Sequence, residues 1–88
     1  MEATAAATAD EMRTRWGRRL RALRKRNERS QVDIAAMMQT EQATVSRAER
    51  GKSDLDTYVR LAEANGTTLE AVTSGPFADS LDAEAGDA

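Results

Sequence analysis

The side chains with the clearest chemical capability in this sequence lie close together, between Gln42 and Arg47. A glutamine amide can bond adenine at two points, and an arginine guanidinium can do the same to guanine. Serine and threonine hydroxyls fit either base, and an alanine methyl can meet the thymine methyl. Five residues therefore have types suited to the edges of DNA bases: Gln42, Ala43, Thr44, Ser46 and Arg47.

Residue types that catalysis and metal binding commonly require are missing. The 88 residues include no cysteine and no histidine. Disulfides, thiolate nucleophiles, imidazole bases and the commonest zinc sites are therefore excluded. A domain of this length also has little room for a large catalytic cleft. We expect a protein that is not an enzyme and that uses no cofactor, metal or small-molecule substrate.

The sequence carries no membrane signal. No apolar run approaches the roughly 20 residues of a membrane span. The first residues, MEATAAATADEM, lack the positive start and apolar middle of a signal peptide. We expect no membrane association and a cytoplasmic location, at the nucleoid if the chain binds DNA.

Charge is unevenly distributed along the chain, although the formal net charge is only -2. The first twelve and the last sixteen residues contain no basic residue, so all 13 basic residues lie between them, beside eight acidic ones. Nine of the 13 lie between Arg13 and Arg29. This basic segment could approach a polyanion or could be an ordinary solvated face.

Hydrophobic periodicity predicts an all-α domain over residues 11–72. A first amphipathic helix follows Asp10 as its cap, and Ser30 with Asp33 forms a capping box for a second. The remaining predicted helices begin after a tight turn, after Asp56 and after Thr68. The predicted ranges are 31–38, 42–50, 57–65 and a short segment over 69–72, for which a strand is the alternative.

The two ends of the chain have little to bury. Residues 1–10 are small and polar, which predicts a disordered arm. Residues 73–88 are acidic and turn-rich, which predicts a flexible tail. In that tail, Phe77 and Leu81 lie four residues apart after Pro76, so the alternative is a segment that folds on a partner or across a dimer.

Two helices joined by a minimal turn, beside a basic helix, meet the physical requirement for reading double-stranded DNA. The major groove admits one α-helix, so a reader must project a helix that is supported by a second one crossing the phosphate backbone. Successive 100° rotations place Val45, Ala48 and Glu49 on one face of the predicted third helix. Ala43, Ser46 and Arg47 share the opposite face, with Gln42 and Thr44 flanking it.

The chain from about Leu20 to Val72 resembles the Xre, or lambda repressor and Cro-like, helix-turn-helix family of transcriptional regulators. Four segments carry the resemblance: LRALRK in the first helix, SQVDIAAMM, ATVSRAERG, and the closing TYVRLAEANGTTLEAV. The resemblance implies a five-helix lambda-repressor-like fold that binds double-stranded DNA.

The family implies a role for each matching position. Gln42, Ala43, Thr44 and Arg47 would face base edges, with Ser46 on the same surface. Arg24 and Glu49 would form an internal ion pair, which the helical angles also favour. Phosphate contacts would come from Gln31, Arg50, Lys52 and Ser53. We also expect Arg24 and Arg26 of the basic segment to contact phosphate.

The turn before the third helix departs from the family pattern. The family usually has glycine at the position of Gln39 and an apolar residue at Thr40. Glu41 stands where serine or threonine usually caps the third helix, and Thr40 could serve as the cap instead.

These observations predict a sequence-specific transcriptional regulator, acting as a repressor and binding a palindromic operator as a homodimer. The helix over 42–50 would lie in the major groove. The alternative is the antitoxin of a toxin–antitoxin pair, which would hold a protein partner through the C-terminal tail and autoregulate its operon. A third interpretation is an adaptor that keeps the fold but contacts only protein.

Overall fold

Six α-helices account for most of residues 8–86, the part of the chain that the computed structural model describes. The all-α prediction is confirmed, with one helix more than predicted. The helices are α1 (Ala9–Arg26), α2 (Gln31–Met38), α3 (Gln42–Glu49), α4 (Leu55–Ala64), α5 (Leu69–Thr73) and α6 (Pro76–Gly86).

Helix α1 begins earlier than predicted because Thr8, rather than Asp10, caps it. The Thr8 hydroxyl accepts a hydrogen bond from the Glu11 backbone N–H at 3.1 Å. The Glu11 carboxylate in turn accepts from the Thr8 backbone N–H at 2.8 Å, which completes a capping box. Residues 8–10 of the predicted arm therefore belong to this helix and its cap, and residues 1–7 lie outside the described residues.

Local capping signals fix the starts of most of the other helices. The Ser30–Asp33 capping box is present at the start of α2, and Thr68 caps α5, both as predicted. The predicted Asp56 cap of α4 is wrong, because the side chain of Asp54 accepts a hydrogen bond from the Thr57 backbone N–H at 2.9 Å. Helix α4 therefore starts at Leu55, two residues earlier than predicted.

The C-terminal segment forms a helix, so the prediction of a flexible tail is wrong for residues 76–86. Leu81 and Ala78 of α6 are fully buried, and Phe77 is half-buried against the same core. Arg19 of α1 holds α6 with bonds of 2.8 and 2.9 Å to the two carboxylate oxygens of Asp82. The tail folds because it fills an apolar surface of the domain and places its acids beside the basic helix.

All six helices contribute to one core. Each helix supplies at least one fully buried large side chain, and Tyr58 lies at the centre of α4: Leu20, Ile34, Val45, Tyr58, Leu61, Val72 and Leu81. Helix α5 is short, yet its Val72 lies among them. Phe77 and Leu81 pack inward against this core, so neither is part of an exposed apolar surface.

Gly17 allows α1 to pack directly on the C-terminal end of α3. A Cβ atom at this position would lie 2.5 Å from the Ala48 carbonyl oxygen and 2.7 Å from that of Glu49. Any larger residue would force the two backbones apart. The glycine therefore fixes the distance between the first and third helices.

No helix within residues 8–86 combines the length and the apolar composition needed to cross a membrane.

Candidate nucleic-acid interface

The turn between α2 and α3 depends on a left-handed residue. Gln39 has φ +57° and ψ +48°, which is the conformation that glycine adopts most easily. The backbone N–H of Thr40 then donates to the Ala35 carbonyl at 2.9 Å, which closes the end of α2. Glu41 caps α3 in backbone conformation only, since its side chain makes no capping hydrogen bond. The Thr40 hydroxyl instead donates to that of Thr44 at 3.1 Å.

The inward half of α3 is held by two other helices, α1 and α4. Val45 and Ala48 are fully buried. The Tyr58 hydroxyl of α4 donates to the Ala48 carbonyl at 2.6 Å, and burial raises the pKa of this phenol, so it stays a neutral donor. With Gly17 packed on the same turn, α3 has a defined orientation and a free outer surface.

The outward half of α3 carries the five side chains that the sequence suggested for base contacts. Gln42, Ala43 and Arg47 are exposed, while Thr44 and Ser46 are half-buried. The Ser46 hydroxyl accepts a bond of 2.9 Å from Arg50 Nη1 and keeps its own proton to donate. The surface thus offers an amide, a guanidinium, two hydroxyls and a methyl, and the one acid of α3, Glu49, points inward.

A chain of hydrogen bonds runs from α1 to the first residue of α3. Arg24 Nε and Nη2 donate to the two Glu49 carboxylate oxygens at 2.7 and 3.0 Å, so the ion pair expected from the sequence is present. Gln31 Nε2 donates to Glu49 at 2.9 Å. Gln42 Nε2 then donates to Gln31 Oε1 at 3.2 Å. The buried ion pair therefore orients two of the predicted DNA-contacting side chains.

Gln31 uses its side chain within the protein in this arrangement. Its amide oxygen accepts from Gln42 and its amide nitrogen donates to Glu49, which leaves one amide hydrogen and the backbone N–H at the start of α2. A helix N-terminus carries partial positive charge, so these N–H groups are oriented to meet an anion.

The residues between α3 and α4 form a second group beside the outward half. Arg50 and Lys52 are exposed and Ser53 is half-buried, as phosphate contacts require. Arg13 of α1 lies on the same shallow groove as Arg47 and Lys52. The sequence did not single out Arg13, because only the packing of α1 near Gly51 brings it to this loop.

Two residues predicted to contact phosphate are placed elsewhere. Arg24 is buried, and its guanidinium donates to Glu49 and, at 2.9 Å, to the Arg29 carbonyl. The prediction of a phosphate contact is therefore wrong for Arg24. Arg26 forms an ion pair with Glu84 of α6 and lies over the Phe77 ring. Its partner is therefore an acid of the same chain.

Two acids near the interface, Asp33 and Asp54, are committed to helix caps, whereas Asp10 pairs with Arg13 at 3.3 Å. The hydrogen bonds from the backbone N–H and the side chain of Ser30 lower the pKa of Asp33. Those from Thr57 lower the pKa of Asp54, which lies on the same groove as Arg47. Both carboxylates stay ionised at neutral pH, but their oxygens face backbone donors.

Within residues 8–86, no group of three or more acidic side chains is arranged to hold a metal ion. The candidate interface consists of amide, hydroxyl and cationic groups, which suit a hydrogen-bonding anionic surface.

The comparison with protein families agrees with the geometry of α2 and α3. Neither a curated protein nor a solved structure matches the chain. One family model does match, described as a helix-turn-helix domain, and it covers residues 15–74. That range contains α2, α3 and the turn between them, together with α4, α5 and most of α1. The chain therefore belongs to the helix-turn-helix domain family.

Proposed function

We propose that this protein is a sequence-specific regulator of transcription that places α3 in the major groove of double-stranded DNA. The observation that carries the proposal is the outward half of α3. Gln42, Ala43 and Arg47 are exposed there, with Thr44 and Ser46 beside them, and the helix presents no acid. Such side chains can hydrogen-bond base edges and can approach phosphates without charge repulsion.

The residues around α3 support separate sources for the affinity and the selectivity of DNA binding. Arg50, Lys52 and Ser53 lie near the end of α3 and Gln31 lies near its start, so a phosphate backbone on either side of the groove would meet donors. These contacts supply affinity that falls with salt, while α3 supplies selectivity. Arg13 joins the phosphate-contacting set because it lies on the same groove as Lys52.

A homodimer on an inverted repeat follows from the size of the reading surface. One α3 of eight residues covers a few base pairs, so two copies related by a two-fold axis are needed for a specific site. We propose that the dimer represses transcription by occupying an operator, and that it acts in the cytoplasm at the nucleoid. The mechanism involves binding alone and no chemical step.

Footprinting on the DNA upstream of the protein's own gene tests this function. The expected result is a protected inverted repeat whose half-sites lie about 10 base pairs apart, centre to centre. Protection should be lost when Arg47 is replaced by alanine and kept when the exposed Arg15 of α1 is replaced in the same way. Failure to shift any DNA at low salt would instead favour an adaptor that contacts only protein.

A further inference from the structure

A small depression lies between α1 and the C-terminal part of α6, with a volume of about 150 Å³. Two alanines, Ala22 and Ala85, line it, and neither has a side chain large enough to fill it. Four cations of α1 also line it: Arg26, which is paired with Glu84, and three others, Arg18, Arg21 and Lys25. The space corresponds to about five water molecules, which suits a small polar group.

The positive charge around this depression is largely uncompensated. Its one acid, Glu84, is already paired with Arg26. Arg18 reaches Asp82 only at 3.7 Å, and both oxygens of that carboxylate accept shorter bonds from Arg19. Within residues 8–86, Arg21 and Lys25 form no ion pair.

The three cations are held in one row by helical geometry. Residues 18, 21 and 25 follow at intervals of three and four, so their side chains share one face of α1. Like charges at this spacing repel each other, and α6 limits how far they can separate on one side. A bound anion would remove this repulsion.

The depression is separate from the candidate nucleic-acid interface. No residue of α2, α3 or the loop between α3 and α4 lines it. Gly17 and Arg24 contact α3 from the neighbouring face of α1, and Arg26 contacts α6 from the other side. The site therefore needs a ligand other than the bases that α3 would contact.

We infer that this depression is a binding site for a phosphate group. One carboxylate carries a single negative charge, which cannot neutralise three cations. A phosphate carries up to two negative charges, spread over several oxygens. Arginine forks match that geometry with paired N–H donors, and Lys25 adds a compact point charge. The phosphate belongs either to a free phosphorylated compound or to the backbone of DNA that passes beside α1.

Inorganic pyrophosphate is the probe, titrated into the full chain by calorimetry at constant ionic strength. The wild-type protein should bind it, and Arg21→Gln or Lys25→Gln should weaken binding about tenfold, as expected when a charge-assisted bond is lost. Ala85→Leu keeps every charge but fills the depression, so it should abolish binding. Thermal unfolding of each variant shows that the fold is intact.

Arg15→Gln is the matched control, because Arg15 is an exposed cation of α1 that does not line the depression. It should bind pyrophosphate like the wild type. Equal weakening in Arg15→Gln and Lys25→Gln would overturn the site, because the anion would then be sensing diffuse charge. Unchanged binding in Ala85→Leu would overturn it as well.

Salt titrations of nonspecific DNA binding identify the source of the phosphate. If DNA supplies it, Lys25→Gln lowers the slope of log affinity against log salt by about 0.9, and Arg15→Gln does not. If a free compound supplies it, the slope is unchanged while pyrophosphate binding is lost. The inference is refuted if the wild-type protein does not bind pyrophosphate and Lys25→Gln leaves the salt slope unchanged. This outcome is independent of whether α3 binds DNA.

Discussion

At the scale of single residues, Arg47 and Gln39 have independent roles, one in the outward surface of α3 and the other in the turn before it. Arg47 is exposed on the outward half of α3 and bears no part of the core. Gln39 contributes only a backbone conformation, φ +57°, that its side chain makes unfavourable. One residue can thus be changed to test recognition, and the other to test stability.

Arg47→Ala should weaken binding to the specific DNA site by about 1–3 kcal/mol and leave nonspecific binding nearly unchanged. The reason is that a bidentate contact to guanine depends on the base sequence. Fluorescence anisotropy on specific and scrambled duplexes measures both affinities, and Arg15→Ala serves as the control for lost charge. An equal loss on the two duplexes would mean that Arg47 contacts phosphate instead.

Gln39→Gly should stabilise the fold by about 0.5–1 kcal/mol, because glycine adopts the left-handed conformation without a steric penalty. Urea unfolding followed by circular dichroism measures the change. Ala36→Gly, three residues earlier and exposed within α2, should lower stability by about 1 kcal/mol. If Gln39→Gly is as destabilising as Ala36→Gly, the turn does not have the conformation described.

At the scale of helices, the docking of α6 on α1 rests on apolar burial and on one arginine. Arg19 donates to both oxygens of Asp82 and, through Nη1, to the carbonyls of Val72 and Thr73 at 2.8 Å each. It therefore joins α1, the end of α5 and α6 at one point. Loss of this contact should loosen α6 before it affects α3.

Asp82→Asn should lower the thermal unfolding midpoint at neutral pH, and its effect should fade in acid. The hydrogen bonds from Arg19 hold the pKa of Asp82 below its ordinary value, so folding favours the ionised form. That stabilisation is complete above the unfolded pKa of about 4 and is lost as the pH falls through the lower folded pKa.

Thermal scans of wild type and Asp82→Asn across this range provide the measurement. Glu63→Gln, an exposed change on α4, is the control and should show no comparable loss at neutral pH. A difference between wild type and Asp82→Asn that persists at low pH would argue against the ion pair as its cause.

Local rules explain which helices could be predicted from the sequence. The bounds of α2 and the start of α3 were predictable because the Ser30 cap and the alternation of buried and exposed residues lie within a few positions. The docking of α6 was not predictable, because Arg26 and Glu84 lie 58 positions apart in the sequence. The acidic composition of residues 73–88 is instead typical of a solvated tail. Within the candidate site, Arg24 with Glu49 was predictable from helical angles, whereas the approach of Arg13 depends on tertiary packing.

At the scale of the whole molecule, the basic segment of α1 supplies less free charge than its composition suggests. Arg19 and Arg24 are buried in ion pairs, and Arg26 is paired with Glu84. The net positive surface is therefore shifted towards the loop after α3 and the outer row of α1. This shift determines which substitutions change the electrostatic part of DNA binding.

Lys52→Gln should reduce the salt dependence of DNA binding by about 0.9 in the log–log slope, because it removes one phosphate contact. Arg26→Gln, which also removes one positive charge, should leave the slope unchanged since Glu84 already neutralises that residue. Measuring the DNA affinity of each variant at several salt concentrations gives both slopes. Equal slopes for the two variants would show that only net charge matters.

The close approach at Gly17 also has a consequence for motion. The backbone of α1 touches the carbonyls of Ala48 and Glu49 without a side chain between them, so the two helices cannot slide past each other. In native-state hydrogen exchange, the amides of α3 and of the middle of α1 should then share one opening free energy. A DNA duplex that required α3 to tilt would have to move α1 with it. The choice of DNA targets is thereby restricted by a backbone contact on the side of α3 that faces away from the groove.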